Sequence, residues 1–339
     1  MPPGSENLPR VSFIMPTLNV EALLDNVLGS IIRQTYPRDR YEILLADARS
    51  TDGTSTIAQK YGATVIDCNG IDYEESKRMA LARANGEYIV FVDADNEITH
   101  TDYIELAVRA LGANPQALGV EGYYLPSPKM SSLCAYLTHR LHISDPLSWL
   151  LSTAPELVAR AGEVERWCLP GDSMAYPLGA NGFVFRRADL EAVNAKKFFQ
   201  DSILPIYLMR AGKREWLRIH GRGVYHYYVR TLGEFIRKRR RTAVQYLRMQ
   251  RATPVNWVKE KPPMPIWLAG LYCVTFLGPL WHTFQGLIRD RDWRWLWHPV
   301  ACPASFVGAA WGFWTYWRRG HRDNLISSLK PHQTINGGS

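Results

Sequence analysis

The 339-residue chain has only five cysteines, at 68, 134, 168, 273 and 302, and none stand in a CxxC pair. Their odd number and wide spacing suit neither a disulfide framework nor a zinc site, and point to a reducing compartment. The start, MPPGSENLPR, lacks the apolar core of a cleaved signal peptide. After the first strand-like stretch the sequence reads PTLNVEA, with no GxGxxG, which excludes a Rossmann dinucleotide site. The Gly-rich phosphate loop that opens sugar nucleotidyltransferases is missing as well. No repeat or low-complexity tract occurs.

Charge is missing from two long stretches near the C-terminus. Residues 262–288 and 295–317 contain no Asp, Glu, Lys or Arg, runs of 27 and 23 residues joined by RDRDWR. Each exceeds the ~20 residues that cross a bilayer core as helix. Nine of the twelve tryptophans fall between 257 and 317, mostly near the run ends, as interfacial anchors do. The pattern predicts a membrane helical hairpin over 262–317. His282, Gln285, His298, Pro299 and Pro303 dilute both runs, so a hairpin lying in the interface stays open beside one that spans.

Acid is scarce just upstream. Between Arg210 and Lys261 stand 15 Lys/Arg against 3 Asp/Glu, a local +12 in a chain whose net charge is +8. Such a block seeks phosphate. The uncharged runs beside it favour membrane lipids over nucleic acid. The segment 231–250 reads as a basic amphipathic helix, with Leu232, Phe235, Ile236, Ala243, Tyr246 and Leu247 on one side.

What the first 120 residues contain is alternation. Apolar strand signals at 11–16, 41–46, 63–67 and 87–92 are separated by helical patterns at 21–35, 51–61 and 74–85. That order predicts an α/β fold with a mostly parallel, doubly covered sheet, whose ligands bind at the C-terminal strand ends. Asp93 and Asp95 lie at such an end, and Thr17, Asn19 and Asp47 each follow a strand of their own. Paired carboxylates there suit a hard divalent cation that keeps positions open for phosphates. Farther on, 178–190 reads as a Gly-bearing loop, a short strand and a helix, and 198–212 as an apolar helix carrying Asp201.

The stretches FIMPTLNVEALLDNVLGSIIRQTYP, ILLADARSTDGT, SKRMALARANGEYIVFVDAD, LGANGFVFRR, FFQD and VYHYYVRTLGEFIRKRR occur in this order between residues 13 and 240. Together they resemble a family 2 glycosyltransferase of the GT-A fold over about residues 10–240. The resemblance implies a GT-A domain at 10–230, preceded by a disordered start (1–9). A basic interfacial helix and linker (231–261), the hairpin (262–317) and a polar tail (318–339) follow it. It implies Mn²⁺ or Mg²⁺ as cofactor, a UDP- or GDP-linked sugar as donor, and inverting transfer; the basic helix and the uncharged runs add the expectation of a lipid-linked or membrane-held acceptor.

The resemblance also implies roles. Pro16, Thr17 and Asn19 line the nucleotide pocket, and Asp47 accepts from the base edge. Arg78 lies near the ribose and pyrophosphate. Asp93, with Ala94 beside it, contacts the ribose region, while Asp95 ligates the metal. His226 corresponds to a further metal ligand, and as a histidine amid aromatics it is equally compatible with a core role. Asp201 is the general base. Gly179 and Asn181 line the acceptor side, and Arg237, Arg240 and Arg241 face the diphosphate or the acceptor. Three departures stand out: Ala48 replaces the usual second acid, Arg49 the usual glycine, and Gln200 the usual glutamate. A catalytically silent, membrane-tethered binding subunit is the rival reading. The termini are expected on the cytoplasmic side, because the outer flanks of the hairpin carry more cations than its loop. A second copy of the chain is an admissible partner.

Overall fold

A computed structural model describes residues 8–195, 200–252 and 260–318. The expected disordered start, the FF of FFQD, most of the 253–261 linker and nearly all of the 318–339 tail lie outside the described residues.

The N-terminal part follows the predicted alternation: β1 (Val11–Thr17), α1 (Glu21–Ile32), β2 (Tyr41–Asp47), α2 (Thr54–Lys60), β3 (Thr64–Asp67), α3 (Tyr73–Arg83) and β4 (Tyr88–Phe91). After them come β5 (Asn96–Ile98), α4 (Tyr103–Ala113), β6 (Val120–Tyr124), α5 (Ser132–Ala135), α6 (Pro146–Leu151), β7 (Glu156–Ala161) and β8 (Val164–Cys168). The domain closes with β9 (Phe183–Arg186), α7 (Arg187–Ala192), α8 (Leu204–Arg210), β10 (Glu215–His226) and the long α9 (Leu232–Ala252).

The strands form one sheet in the order β3-β2-β1-β4-β9-β6-β10-β8-β7, with β5 also pairing β10. All seven residues of β1 are buried, as expected of a central parallel strand covered on both faces. The expectation of a mostly parallel sheet needs correction. β3, β2, β1 and β4 run parallel, but β9 enters antiparallel to both β4 and β6, and β10 is antiparallel to β5 and β8. The sheet is mixed because β9 arrives from the loop at 178–182 instead of through a crossover helix.

The hairpin is also corrected. The first uncharged run breaks at Phe276, which takes φ 59° between α10 (Ile266–Thr275) and α11 (Leu277–Asp290). At 1.5 Å per residue, α10 spans about half of a ~30 Å hydrocarbon core. The second run becomes α12 (His298–Arg318), whose small residues lie along α9. A Cβ at Gly308 would meet the Ile236 carbonyl oxygen at 2.8 Å, and one at Gly312 the Ala243 Cβ at 2.6 Å. Among the described residues no helix is long and apolar enough to cross a membrane.

Candidate active site

The DxD turn is held by a residue the sequence reading passed over. Asn96, fully buried, accepts from the Asp93 backbone N–H through its Oδ1 at 3.2 Å and donates through Nδ2 to Asp95 Oδ1 at 3.2 Å. Asn96 also begins β5, which pairs with β10 so that His226 sits opposite it. His226 Nε2 thereby comes within 3.6 Å of Asp95 Oδ2. From α9, Lys238 Nζ reaches the same oxygen at 3.2 Å. Burial opposes ionisation of Asp95, yet Lys238 and His226 together hold its carboxyl well below the usual range.

Asp201 joins this cluster from the far side. It lies in a turn immediately before α8, not inside a helix as expected, because Pro205 fixes the helix start there. The loop carrying Gly179 closes over it. Gly179 has φ +102°, and a Cβ there would stand 2.2 Å from the Asp201 carbonyl oxygen, so only glycine fits. Asn181, at φ 56°, donates to the Tyr124 hydroxyl at 2.7 Å, and the Tyr124 ring packs 5.4 Å from His226.

Between the two groups stands Lys77, which is completely buried. Its ammonium lies 2.6 Å from Asp201 Oδ2 and 3.1 Å from Asp93 Oδ1. Asp72 caps α3 by accepting from the Glu74 and Glu75 N–H groups, and the helix then turns Glu74, Lys77 and Leu81 inward. Burial disfavours the charged form of Lys77, but Asp201 and Asp93 outweigh it and raise its pKa well above the ordinary value. Glu74 accepts from the Asp201 N–H at 3.3 Å. Burial, and then the neighbouring Asp201, push its carboxyl well above the usual range. Arg78, one residue on, leaves this face and pairs with Glu75 at 2.7 Å. The signal that could have found Lys77 is its helical register with buried Ala80 and Leu81.

At the end of β1 and β2 a second polar nest forms. Thr17 Oγ1 donates to Asp47 Oδ1 at 2.9 Å, and the Ser50 N–H and hydroxyl donate to the same carboxylate at 2.9 and 2.6 Å. Asn19 Oδ1 accepts from the Thr51 N–H at 2.8 Å, while its own N–H donates to Ser50 Oγ. Arg49 takes φ 66°, a left-handed backbone that explains why glycine is usual at that place. Pro16 lies within β1, and Ala94 is buried inside the DxD turn.

The arginines of α9 frame a cleft of about 440 Å³, lined by Tyr228, Val229, Glu234, Arg237, Lys238, Arg240 and Arg241. Lys238 belongs to both the cleft and the DxD cluster, so the two are continuous.

The chemistry of the donor set fits a divalent cation. Asp95 and His226 present an oxygen and a nitrogen to one space, while Asp93 Oδ1 is ion-paired with the Lys77 ammonium at 3.1 Å. No preassembled group of three such ligands exists among the described residues. A donor diphosphate would therefore supply part of the coordination, as is usual for Mg²⁺ and Mn²⁺.

Comparison with known proteins agrees with this reading of the fold. Residues 12–126, which run from β1 to the loop after β6 and include the DxD turn, match the family described as Glycosyl transferase family 2. A poly(ribitol-phosphate) β-N-acetylglucosaminyltransferase of Staphylococcus aureus is 32% identical over 95 residues, covering 26% of this chain and 17% of that protein. The glycosyltransferase AglE of Haloferax volcanii is 31% identical over 114 residues, 32% of this chain and 37% of that one. The chain thus matches well under half the length of these curated relatives. In structure it resembles a Pyrobaculum calidifontis mannosyltransferase solved with GDP-mannose and Mn²⁺. The TM-score is 0.56 at 19% identity, over 92% of this chain and 89% of that chain. The mixed sheet is therefore of the GT-A glycosyltransferase type.

Proposed function

We propose that the chain is a metal-dependent, inverting glycosyltransferase that moves a sugar from a UDP- or GDP-linked donor to a lipid-linked or membrane-held acceptor. One observation carries this reading: Asp93, Asp95, His226, Lys77 and Asp201, drawn from four separate stretches of chain, converge at one end of the sheet. The curated relatives are named as glycosyltransferases, and the structural relative was solved with a nucleotide sugar and Mn²⁺.

In this mechanism the nest around Thr17, Asn19 and Asp47 receives the nucleoside. Asp95 and His226 would hold Mn²⁺ or Mg²⁺, which supplies charge neutralisation for the departing diphosphate. Arg237, Arg240 and Arg241 line the adjoining cleft and add fixed positive charge where the diphosphate or an anionic acceptor lies. Asp201 takes the proton of the acceptor hydroxyl. With one base opposite the leaving group, displacement from the back inverts the anomeric carbon. Gly179 and Asn181 shape the acceptor side. The catalytic domain faces the cytoplasm, where nucleotide sugars are made.

The test is direct. The purified chain is incubated with UDP- and GDP-linked sugars, Mn²⁺ or Mg²⁺, and extracted membrane lipid, and nucleoside diphosphate release is followed. Release that EDTA abolishes is expected. Nucleotide binding without release or transfer from any donor would leave the silent binding subunit as the correct reading.

A further inference from the structure

The helices α10, α11 and α12 are apolar on the wrong side. Of the 24 large hydrophobic side chains exposed among the described residues, 19 fall between Ile266 and Trp317. On α11 the exposed residues Leu277, Leu280, Trp281, Phe284 and Ile288 recur at i, i+3, i+4, i+7 and i+11, which is one helix face. The face turned inward carries Pro279, Thr283 and Gly286 instead. Leu277 is 78% exposed, Trp267 67% and Trp317 74%, so these are open faces and not half-covered edges. A helix that hides its small residues and displays its large ones is matched to a non-aqueous neighbour.

Charge decides which neighbour. The Arg240 guanidinium stands 4.5 Å over the Trp311 ring and that of Arg318 4.9 Å over Trp314, while Arg237 and Arg241 on α9 are exposed. Tryptophans flanked by arginines beside an apolar face suit the headgroup level of an anionic leaflet. A spanning arrangement is disfavoured by α9. Gly308 and Gly312 lock α12 along this cationic helix, so carrying α12 through hydrocarbon would carry Arg239 and Arg240 with it.

We infer that α10–α12 form a monotopic docking surface that sinks into one leaflet and lies in its plane. This rests on the proposed membrane-held acceptor and deepens it. The cleft of Arg237, Lys238 and Arg241 then opens beside the lipid surface, and an acceptor headgroup reaches the DxD cluster without leaving the membrane.

The experiment uses the full chain, purified in mild detergent and diluted into phosphatidylcholine vesicles with or without phosphatidylglycerol. Co-flotation is expected, stronger with the anionic lipid. The triple variant Leu277→Glu, Trp281→Glu, Phe284→Glu should float about tenfold less or worse, while its circular dichroism and UDP or GDP binding stay those of wild type. In intact vesicles, an impermeant thiol reagent added outside should label Arg291→Cys, in the turn after α11. Labelling of Arg291→Cys only after vesicle lysis would mean a spanning hairpin and would overturn the inference. A wild-type chain that stays unbound, either as a monomer or as a dimer split by the triple variant, would overturn it too. Vesicle binding without any nucleotide binding would instead sink the transferase reading and leave the docking surface standing.

Discussion

Lys77 Nζ lies 2.6 Å from the carboxylate of Asp201, a residue 124 positions away, and 3.1 Å from that of Asp93. One buried cation thus ties the proposed base to the first aspartate of the DxD turn. Deleting one partner of a buried ion pair leaves the others uncompensated, which costs about 3–5 kcal/mol. Lys77→Met should lose stability on that scale in urea unfolding. Combining it with Asp201→Asn should recover part of the loss. Lys77→Arg should not rescue it, since a planar guanidinium does not replace a point charge in a closed site. Wild-type stability of Lys77→Met would show that the carboxylates are solvated and the triad is not a structural unit.

Lys238 holds Asp95 at 3.2 Å, where a divalent cation would bind. The lysine and the metal therefore compete for one carboxylate oxygen. A hydrogen bond to a charged group contributes about 1.5–3 kcal/mol, so Lys238→Ala should bind Mn²⁺ at least tenfold more tightly in the absence of nucleotide, read by calorimetry. Asp95→Ala should abolish that binding. Equal Mn²⁺ affinity in Lys238→Ala and wild type would remove the competition.

Asp201→Asn keeps the shape of the turn under Gly179 and removes the basic oxygen. Loss of a general base costs about 10²–10⁴ in rate, and donor affinity should stay within a few-fold. Unchanged transfer would mean that the acceptor arrives already ionised, as a phosphate does, and Asp201 would then serve only Lys77.

The strands β1, β2 and β4 were legible because a buried parallel strand is a continuous apolar run, and the DxD turn because two acids ended one. The GT-A assignment and the role of Asp201 came from resemblance; periodicity alone read Asp201 as a residue of an apolar helix. Lys77 was passed over in favour of Arg78, since a single charged residue on a helix defaults to the solvent face. Only the fold shows that position 77 faces three acids. The antiparallel entry of β9 leaves no local trace, because pairing partners are set by long-range contacts. The hairpin failed for a different reason. Two uncharged runs satisfy a length rule, but whether such a run spans depends on what its small residues touch. Gly308 and Gly312 touch α9.

His298 gives the C-terminal helices a pH dependence. It is fully buried at the start of α12, paired with the Tyr136 hydroxyl through Nδ1 and with the Tyr272 hydroxyl at 2.9 Å through Nε2. Trp149, Trp295, His282 and Cys302 complete its surroundings. Burial, and then His282, lower its pKa to about 3. The folded chain therefore keeps the imidazole neutral over a range in which the unfolded chain, with a histidine pKa of about 6.5, takes up a proton. Stability is fully present above pH ~6.5 and is lost as pH falls from there toward 3, by up to roughly 1.4 kcal/mol per pH unit. Trp149 and Trp295 stand within 5.6 Å of the ring, so their fluorescence reports the loss. His298→Gln, which can still donate and accept but does not titrate, should make the acid limb between pH 6 and 4 shallower, leaving the shares of His142, His139 and His282, whose pKa values burial also lowers. An acid limb identical to wild type in His298→Gln would assign the titration elsewhere.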